Sequence, residues 1–300
     1  MTRPITNKKQ NIANKAFTLV EFSIVITIIA LLLAVVSTSR ILINKAKLQK
    51  AQLATKSAPI LGITNDKGDI SARLWLEASN PNSYKILSDD TVEIWYDKTP
   101  YDNDISNGTD SAYLPIILKN AINGYGAALY FDGNDQLFSD GKTPLAFGDD
   151  DYSIIAVWQT EKIVNHQVIW AQNAAETASG VTDHVRGSLI LSIGGYGFSG
   201  ENSDRRYMAT YAIDTPYISI LIKNDLVIDL YHLGTANSDV ISSDTNLYTE
   251  RHSVGRKASI NSEYFTGYIA EIIVFDKALN DSEIDELHNY LFSKYGLNRP

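Results

Sequence analysis

The chain has 300 residues, no cysteine, 44% hydrophobic residues and a formal charge of −9. The length allows one large domain or two small ones, and the apolar fraction suits a folded protein. The missing cysteine excludes a disulfide framework and a thiolate metal site. The acidic balance argues against nucleic acid as the partner, because phosphate binding needs a basic face.

The chain opens with Arg3, Lys8, Lys9 and Lys15 and no acid, and residues 22–39, FSIVITIIALLLAVVSTS, carry no charge. A helix of that length spans about 27 Å, close to the hydrocarbon core of a bilayer. A basic start followed by an apolar run reads as an export signal or a membrane anchor. The run continues into RILINKAKLQKAQLATKS, which lacks Gly and Pro, so one helix is predicted from about Phe17 to Ser57. Arg40, Lys45, Lys47, Lys50 and Lys56 follow the run, so charge alone does not orient it. Glu21 stands inside the apolar stretch. A carboxylate in hydrocarbon is costly and marks a functional role or a paired charge.

KAFTLVEFSIVITIIALLLAVV resembles the N-terminus of type IV prepilins and of secretion-system pseudopilins. The resemblance implies a leader of residues 1–16 cut by a prepilin peptidase between Ala16 and Phe17, with methylation of the new first residue. Ala16 departs from the usual Gly at that place. The resemblance also places Glu21 at the fifth mature position. There it pairs with the first amine of a neighbouring pilin-like subunit and sets the register between packed helices.

Residues 58–69 carry Pro59, Gly62 and an Asn-Asp-Lys-Gly run and read as a linker. From residue 70 to 300 short segments rich in β-branched and aromatic residues alternate with Gly, Asn, Asp and Pro clusters, as in ARLWLEA, TVEIWYD, GAALYFD, YSIIAVWQT and GYIAEIIVFD. That spacing predicts a mainly β fold, an antiparallel sandwich or barrel. One helix closes the chain. Asn280 with Glu283 forms a capping box, Ile284, Leu287 and Leu291 share a face, and Gly296 ends it. The helix is expected at an end of the sandwich or over a sheet edge.

ARLWLEASNPNSYKILSDDTVEIWYDKTPYDND, GAALYFDGNDQLF and GYIAEIIVFDKALNDSEIDELHNYLFSKYGL resemble blocks of concanavalin A-like, laminin-G-type jelly-roll domains of bacterial surface proteins. The departures are Glu77 for a common Asp and the Tyr96–Thr99 string. The resemblance implies two packed antiparallel sheets over 70–300 and leaves the ligand open.

Four features bear on chemistry. Asp132, Asp135, Asp140, Asp149, Asp150 and Asp151 lie in Gly-containing turns, and Asp132 with Asp135 is the candidate calcium site. The stretch GGYGFSGENSDRRYM reads as a surface loop, with Tyr196, Phe198, Arg205 and Arg206 as candidate ligand-binding residues. Glu283, Asp285 and His288 read as a solvated helix surface. The five histidines lack zinc-ligand spacing, and no nucleophile elbow, P-loop or dinucleotide fingerprint is present.

These readings combine into a minor pilin-like subunit or pseudopilin that displays a lectin-like sandwich for adhesion to glycan or a surface protein. The expected location is the inner membrane, as a single-pass protein with an exported ectodomain, or a pilus or pseudopilus at the surface. The alternative is a structural pseudopilin whose sandwich contacts partner subunits. A surface-tethered glycan hydrolase would need a pair of carboxyls across a sugar. No strand carries that spacing, so the chain is expected not to be an enzyme and to need no cofactor beyond the calcium candidate.

Overall fold

The computed structural model describes residues 18–107, 111–139, 145, 147, 150–173, 185–199, 205–241, 251–256 and 263–299. They belong to two compact units, Met1–Lys45 and Ala46–Pro300.

In the first unit the described residues are the front of helix α1, which runs from Leu19 to Lys56. Its large apolar side chains from Leu19 to Ile43 are all exposed, and the apolar stretch has a mean hydropathy of 2.9. It is the one helix among the described residues long and apolar enough to cross a membrane. Its hydroxyls turn inward. Ser23 donates to Val20 O at 2.8 Å, Thr27 to Ser23 O at 2.8 Å and Ser37 to Leu33 O at 2.9 Å. Hydroxyls satisfied within their own helix lower the cost of apolar surroundings.

In the second unit the last turns of α1 are packed. Ala51 and Thr55 are buried, and Gln52 Nε2 donates to Ser79 O at 2.9 Å. The expected linker is packed as well, since Ile60 and Ile63 are buried under the closing helix.

The strands are β1 (Ala72–Glu77), β2 (Tyr84–Ser88), β3 (Thr91–Trp95), β4 (Ile105–Ser106), β5 (Ile116–Ile122) and β6 (Gly126–Asp132). Then come β7 (Leu137–Phe138), β8 (Tyr152–Thr160), β9 (Gln167–Asn173), β10 (Val185–Ser192), β11 (Gly195–Ser199) and β12 (Arg205–Ala209). The last are β13 (Tyr217–Asn224), β14 (Val227–His232), β15 (Thr235–Val240), β16 (Arg251–Val254) and β17 (Thr266–Phe275). All pairings between them are antiparallel.

One layer runs β15-β14-β13-β8-β17, and the free side of β17 takes β6 along its first half and β1 along its second. The other layer runs β12-β11-β10-β9-β16-β7 and joins the first through β4, β3 and β5. Period two divides each strand between clusters. Leu74 and Leu76 of β1 enter the core between the layers with Phe131, Ile154, Trp158 and Leu189, while Trp75 turns to the outer face.

That outer face is covered by α2 (Asp281–Tyr295). Asn280 caps it: its Oδ1 accepts from Glu283 N at 3.1 Å, and its own N–H donates to Glu283 Oε2 at 2.9 Å. Gly296 ends it at φ 60°, where a Cβ would also strike the Tyr125 ring. Ile284, Leu287 and Leu291 pack on Ile155, Ile218, Ile220 and Ile273. The helix therefore covers a sheet face, not an end or an edge, because β8, β13 and β17 present a continuous apolar surface there.

A buried ionic cluster joins β1, β17 and α2. Lys294 Nζ lies 2.8 Å from Glu271 Oε2 and 3.0 Å from Glu77 Oε1, and all three side chains are fully buried. Glu271 also accepts from Trp75 Nε1 at 2.7 Å, Tyr290 OH at 2.8 Å and Tyr295 OH at 2.9 Å. Glu77 accepts from the backbone N–H groups of Ser79 at 2.7 Å and Asn80 at 3.2 Å. Burial pushes the Glu77 carboxyl up, but the Lys294 ammonium outweighs it and holds Glu77 below the ordinary range. Burial also holds both tyrosine hydroxyls protonated, so they remain donors.

Candidate functional site

Ala16 and Phe17, the expected cleavage site, lie outside the described residues. Glu21 lies within them and has a partner in its own chain. Thr18 N and Thr18 Oγ1 each donate to Glu21 Oε2 at 2.8 Å, and Glu21 N donates back to Thr18 Oγ1 at 3.2 Å. This is a capping box at the start of α1. The carboxylate thus satisfies one backbone amide and one hydroxyl at the helix start, a capping role that the sequence alone did not reveal.

The stretch read as a surface loop is the hairpin of β11 and β12, with residues 200–204 outside the description. Tyr196 and Phe198 are fully buried, which corrects their assignment as exposed ligand-binding residues. Tyr196 packs on Trp158 with ring centroids 5.1 Å apart and accepts from Ser219 Oγ at 3.2 Å. Its hydroxyl also meets His232 Nδ1. The physical reason lies in Gly197. A Cβ there would fall 2.1 Å from Arg206 O, so the glycine serves close strand pairing rather than loop freedom. Arg205 is half-buried and committed: its NH1 donates to His166 Nε2 at 2.5 Å and its NH2 to Glu263 Oε1 at 3.0 Å. Arg206 Nε lies 3.9 Å from Asp239 Oδ2. The structure therefore does not gather these four residues into one exposed site.

Asp132 and Asp135 brace the turn after β6. Asp135 Oδ2 accepts from Asp132 N at 2.8 Å, and Asp132 Oδ1 accepts from Asn134 N at 3.0 Å. Burial pushes the Asp135 carboxyl up to about 7. Among the described residues no three acidic or histidine side chains gather as metal ligands, and Asp140 and Asp149 lie outside them. On α2, Glu283 is spent on the cap and on Lys277 at 2.9 Å, and Asp285 meets Arg299 at 2.6 Å. His288 is not on a solvated surface. It is fully buried between Tyr231 and Phe292, and burial lowers its ring to about 4.

Sequence reasoning missed an aromatic pair on the outer face of the first layer. Tyr130 of β6 and Tyr268 of β17 stand directly opposite in register, with ring centroids 5.1 Å apart and planes at 48°. Both are half-buried. Tyr130 OH donates to Glu161 Oε2 at 3.1 Å and Tyr268 OH to Glu161 Oε1 at 3.0 Å. One carboxylate thus fixes two rings. Burial and the Glu161 contact push the Tyr130 hydroxyl up to about 12 and raise Tyr268 too, so both stay protonated donors. Gln159 lies beside Tyr268 across β8. Pre-set ring faces with a carboxylate and an amide alongside combine apolar stacking with hydrogen bonding, the pairing that binds amphipathic ligands such as sugars. A polar cleft of about 600 Å³ lies elsewhere, lined in part by Asn65, Arg73, Asp150, Asp151, Asp276 and Lys277. Of its three cations, Arg73 is paired with Asp276 and Lys277 with Glu283, and Lys67 is the third.

No protein-family model matches the chain, and no curated protein matches it. The prepilin and laminin-G resemblances therefore have no family match behind them. Solved structures do match. A Trypanosoma rangeli sialidase in complex with sialic acid is 12% identical, with a TM-score of 0.53 over 83% of this chain and 38% of that one. A GH54 α-L-arabinofuranosidase is 13% identical, with a TM-score of 0.54 over 68% of this chain and 51% of that one. The binding domain of botulinum neurotoxin serotype D is 14% identical, with a TM-score of 0.51 over 74% of this chain and 51% of that one. The chain thus spans between about two fifths and half of the length of these structures. At this identity the likeness shows the fold alone. It still corrects the expectation that the chain is not an enzyme. Structures of two glycoside hydrolases share the fold over most of this chain, so the architecture does not separate it from enzymes.

Proposed function

We propose that the chain is a pilin-like, membrane-inserted surface subunit whose exported sandwich binds glycan. The observation that carries the proposal is α1, whose apolar side chains from Leu19 to Ile43 are all exposed in the isolated chain. Such a surface needs lipid or the apolar helices of neighbouring subunits around it. The prepilin-like spacing of Ala16, Phe17 and Glu21 supports neighbouring subunits as the final surroundings, with lipid before assembly. Glu21 then has two tasks, capping its own helix and meeting the first amine of a neighbour.

For the sandwich, the support is the Tyr130–Tyr268 pair with Glu161, together with a fold that a sialidase and an arabinofuranosidase also carry. The test is a glycan array probed with the full chain in detergent and read for both retention and released sugar. Retention that disappears in Tyr130→Ala and Tyr268→Ala supports the reading. An array on which the wild type and both variants are equally blank overturns the glycan half.

A further inference from the structure

The geometry points to a covalent site in the buried ionic cluster: an amide bond between Lys294 Nζ and the Glu77 side chain, formed with loss of water and assisted by Glu271. The subunit role proposed above is not needed for it.

Three observations carry the inference. The amine lies against two carboxylates, 3.0 Å from Glu77 and 2.8 Å from Glu271, and all three side chains are fully buried. Reacting groups held in place without solvent gain the proximity advantage of an intramolecular reaction. The rings of Tyr290 and Tyr295 flank the amine, with Lys294 Nζ 5.3 Å from each centroid, and Nζ also donates to Tyr290 OH at 2.9 Å. One ammonium and two carboxylates are costly to bury, and an amide removes the Lys294–Glu77 ion pair.

The two carboxylates are also dressed for different tasks. Glu77 accepts from two backbone N–H groups, those of Ser79 and Asn80. The Ser79 donor is on Oε1, the oxygen that faces Lys294, and the Asn80 donor is on Oε2, where it stabilises the oxyanion that forms when the amine adds to the carboxyl. Glu271 holds four side-chain donors across its two oxygens, Lys294 among them, which places a second carboxylate against the amine to carry a proton.

The steps balance without any other reactant. Lys294 first passes one proton to Glu77 across their contact, which gives an amine and a carboxylic acid. The Nζ–Cδ bond then forms. Glu271 takes a second proton from the nitrogen and delivers it to a hydroxyl on Cδ. The Cδ–O bond breaks and water leaves. The third hydrogen stays on the amide nitrogen, and Glu271 ends as it began. The same ammonium that keeps Glu77 ionised is the proton source. The product ties β1, at the start of the sandwich, to α2 at its end, and bulk water is kept from hydrolysing it.

Peptide mapping of the full chain by mass spectrometry tests the site. The expected result is a branched peptide joining the Glu77 and Lys294 segments, one water lighter than their sum. Separate, full-mass peptides would overturn it. So would a lost water found instead at Asp132–Gly133, where an aspartyl side chain can cyclise. Glu77→Gln should still link but release ammonia, and Glu271→Gln should leave Lys294 free. A Glu271→Gln chain that links at the wild-type rate would overturn the role of Glu271. If either variant fails to fold, the wild-type map decides alone.

Discussion

Tyr130 and Tyr268 face each other across β6 and β17, and a single carboxylate, Glu161, holds both hydroxyls. The rings are therefore positioned before any ligand arrives, so a ligand meets no cost for ordering them. Tyr130→Ala or Tyr268→Ala should weaken glycan binding by about tenfold each, the loss expected for one stacked ring. Glu161→Gln keeps an acceptor and should cost less. Binding isotherms on an array-selected glycan, alongside melting curves, check both statements. Equal affinity in all three variants would remove the pair from the site.

Glu21 separates capping from charge. Glu21→Ala removes the capping box and the carboxylate. Glu21→Gln keeps an oxygen that can accept from Thr18 and removes only the charge. Both variants should be exported and cleaved, and both should fail to enter filaments. Sheared-filament preparations compared with membrane fractions give the answer. Assembly of the Gln variant at the wild-type level would confine Glu21 to the cap.

Lys294→Met leaves Glu77 and Glu271 buried together without their cation. Breaking a buried pair from one side costs about 3–5 kcal/mol, so this variant should unfold at clearly lower denaturant. Glu283→Ala, which loses a cap partner and a partly exposed contact with Lys277, should cost about 1 kcal/mol. Chemical denaturation of both variants in detergent compares them.

The acid side of the stability profile has a sign that can be worked out. Burial lowers His288 from 6.5 to about 4, so its contribution is complete above pH 6.5 and is lost as pH falls toward 4. His252 behaves alike, with burial lowering it to about 3. Asp135 acts oppositely. Burial raises it from 3.8 to about 7, so it favours the folded state as pH falls through that window. His288→Leu should therefore lose less stability than the wild type between pH 6.5 and 4. Asp135→Asn should gain relative stability as pH rises from 4 to 7. Thermal melts across pH read the differences, and parallel profiles would contradict both assignments.

Much of the fold was legible because its signals are local. Asn280, Glu283 and Gly296 mark the ends of α2 by their own backbone chemistry, and strands such as β8 declare themselves by composition. The candidate site was not legible because its signals are pairings. Tyr130 and Tyr268 are each one outward residue in an apolar strand, and only the β6–β17 register sets them opposite. The glycines around Tyr196 and Phe198 suggested a loop, whereas Gly197 makes room for Arg206 O of the neighbouring strand. His288 read as solvated within an acidic string, yet its helix turns it under Tyr231. In each case the missing information was which strand or helix lay alongside.

The N-terminal peptide of the protein extracted from its native membrane tests the central claim most directly. The account predicts a peptide that begins at Phe17 and carries one added methyl group on its amine. A peptide that begins at Met1 would contradict it, leaving a sandwich held by an uncut anchor and no amine for Glu21 to meet.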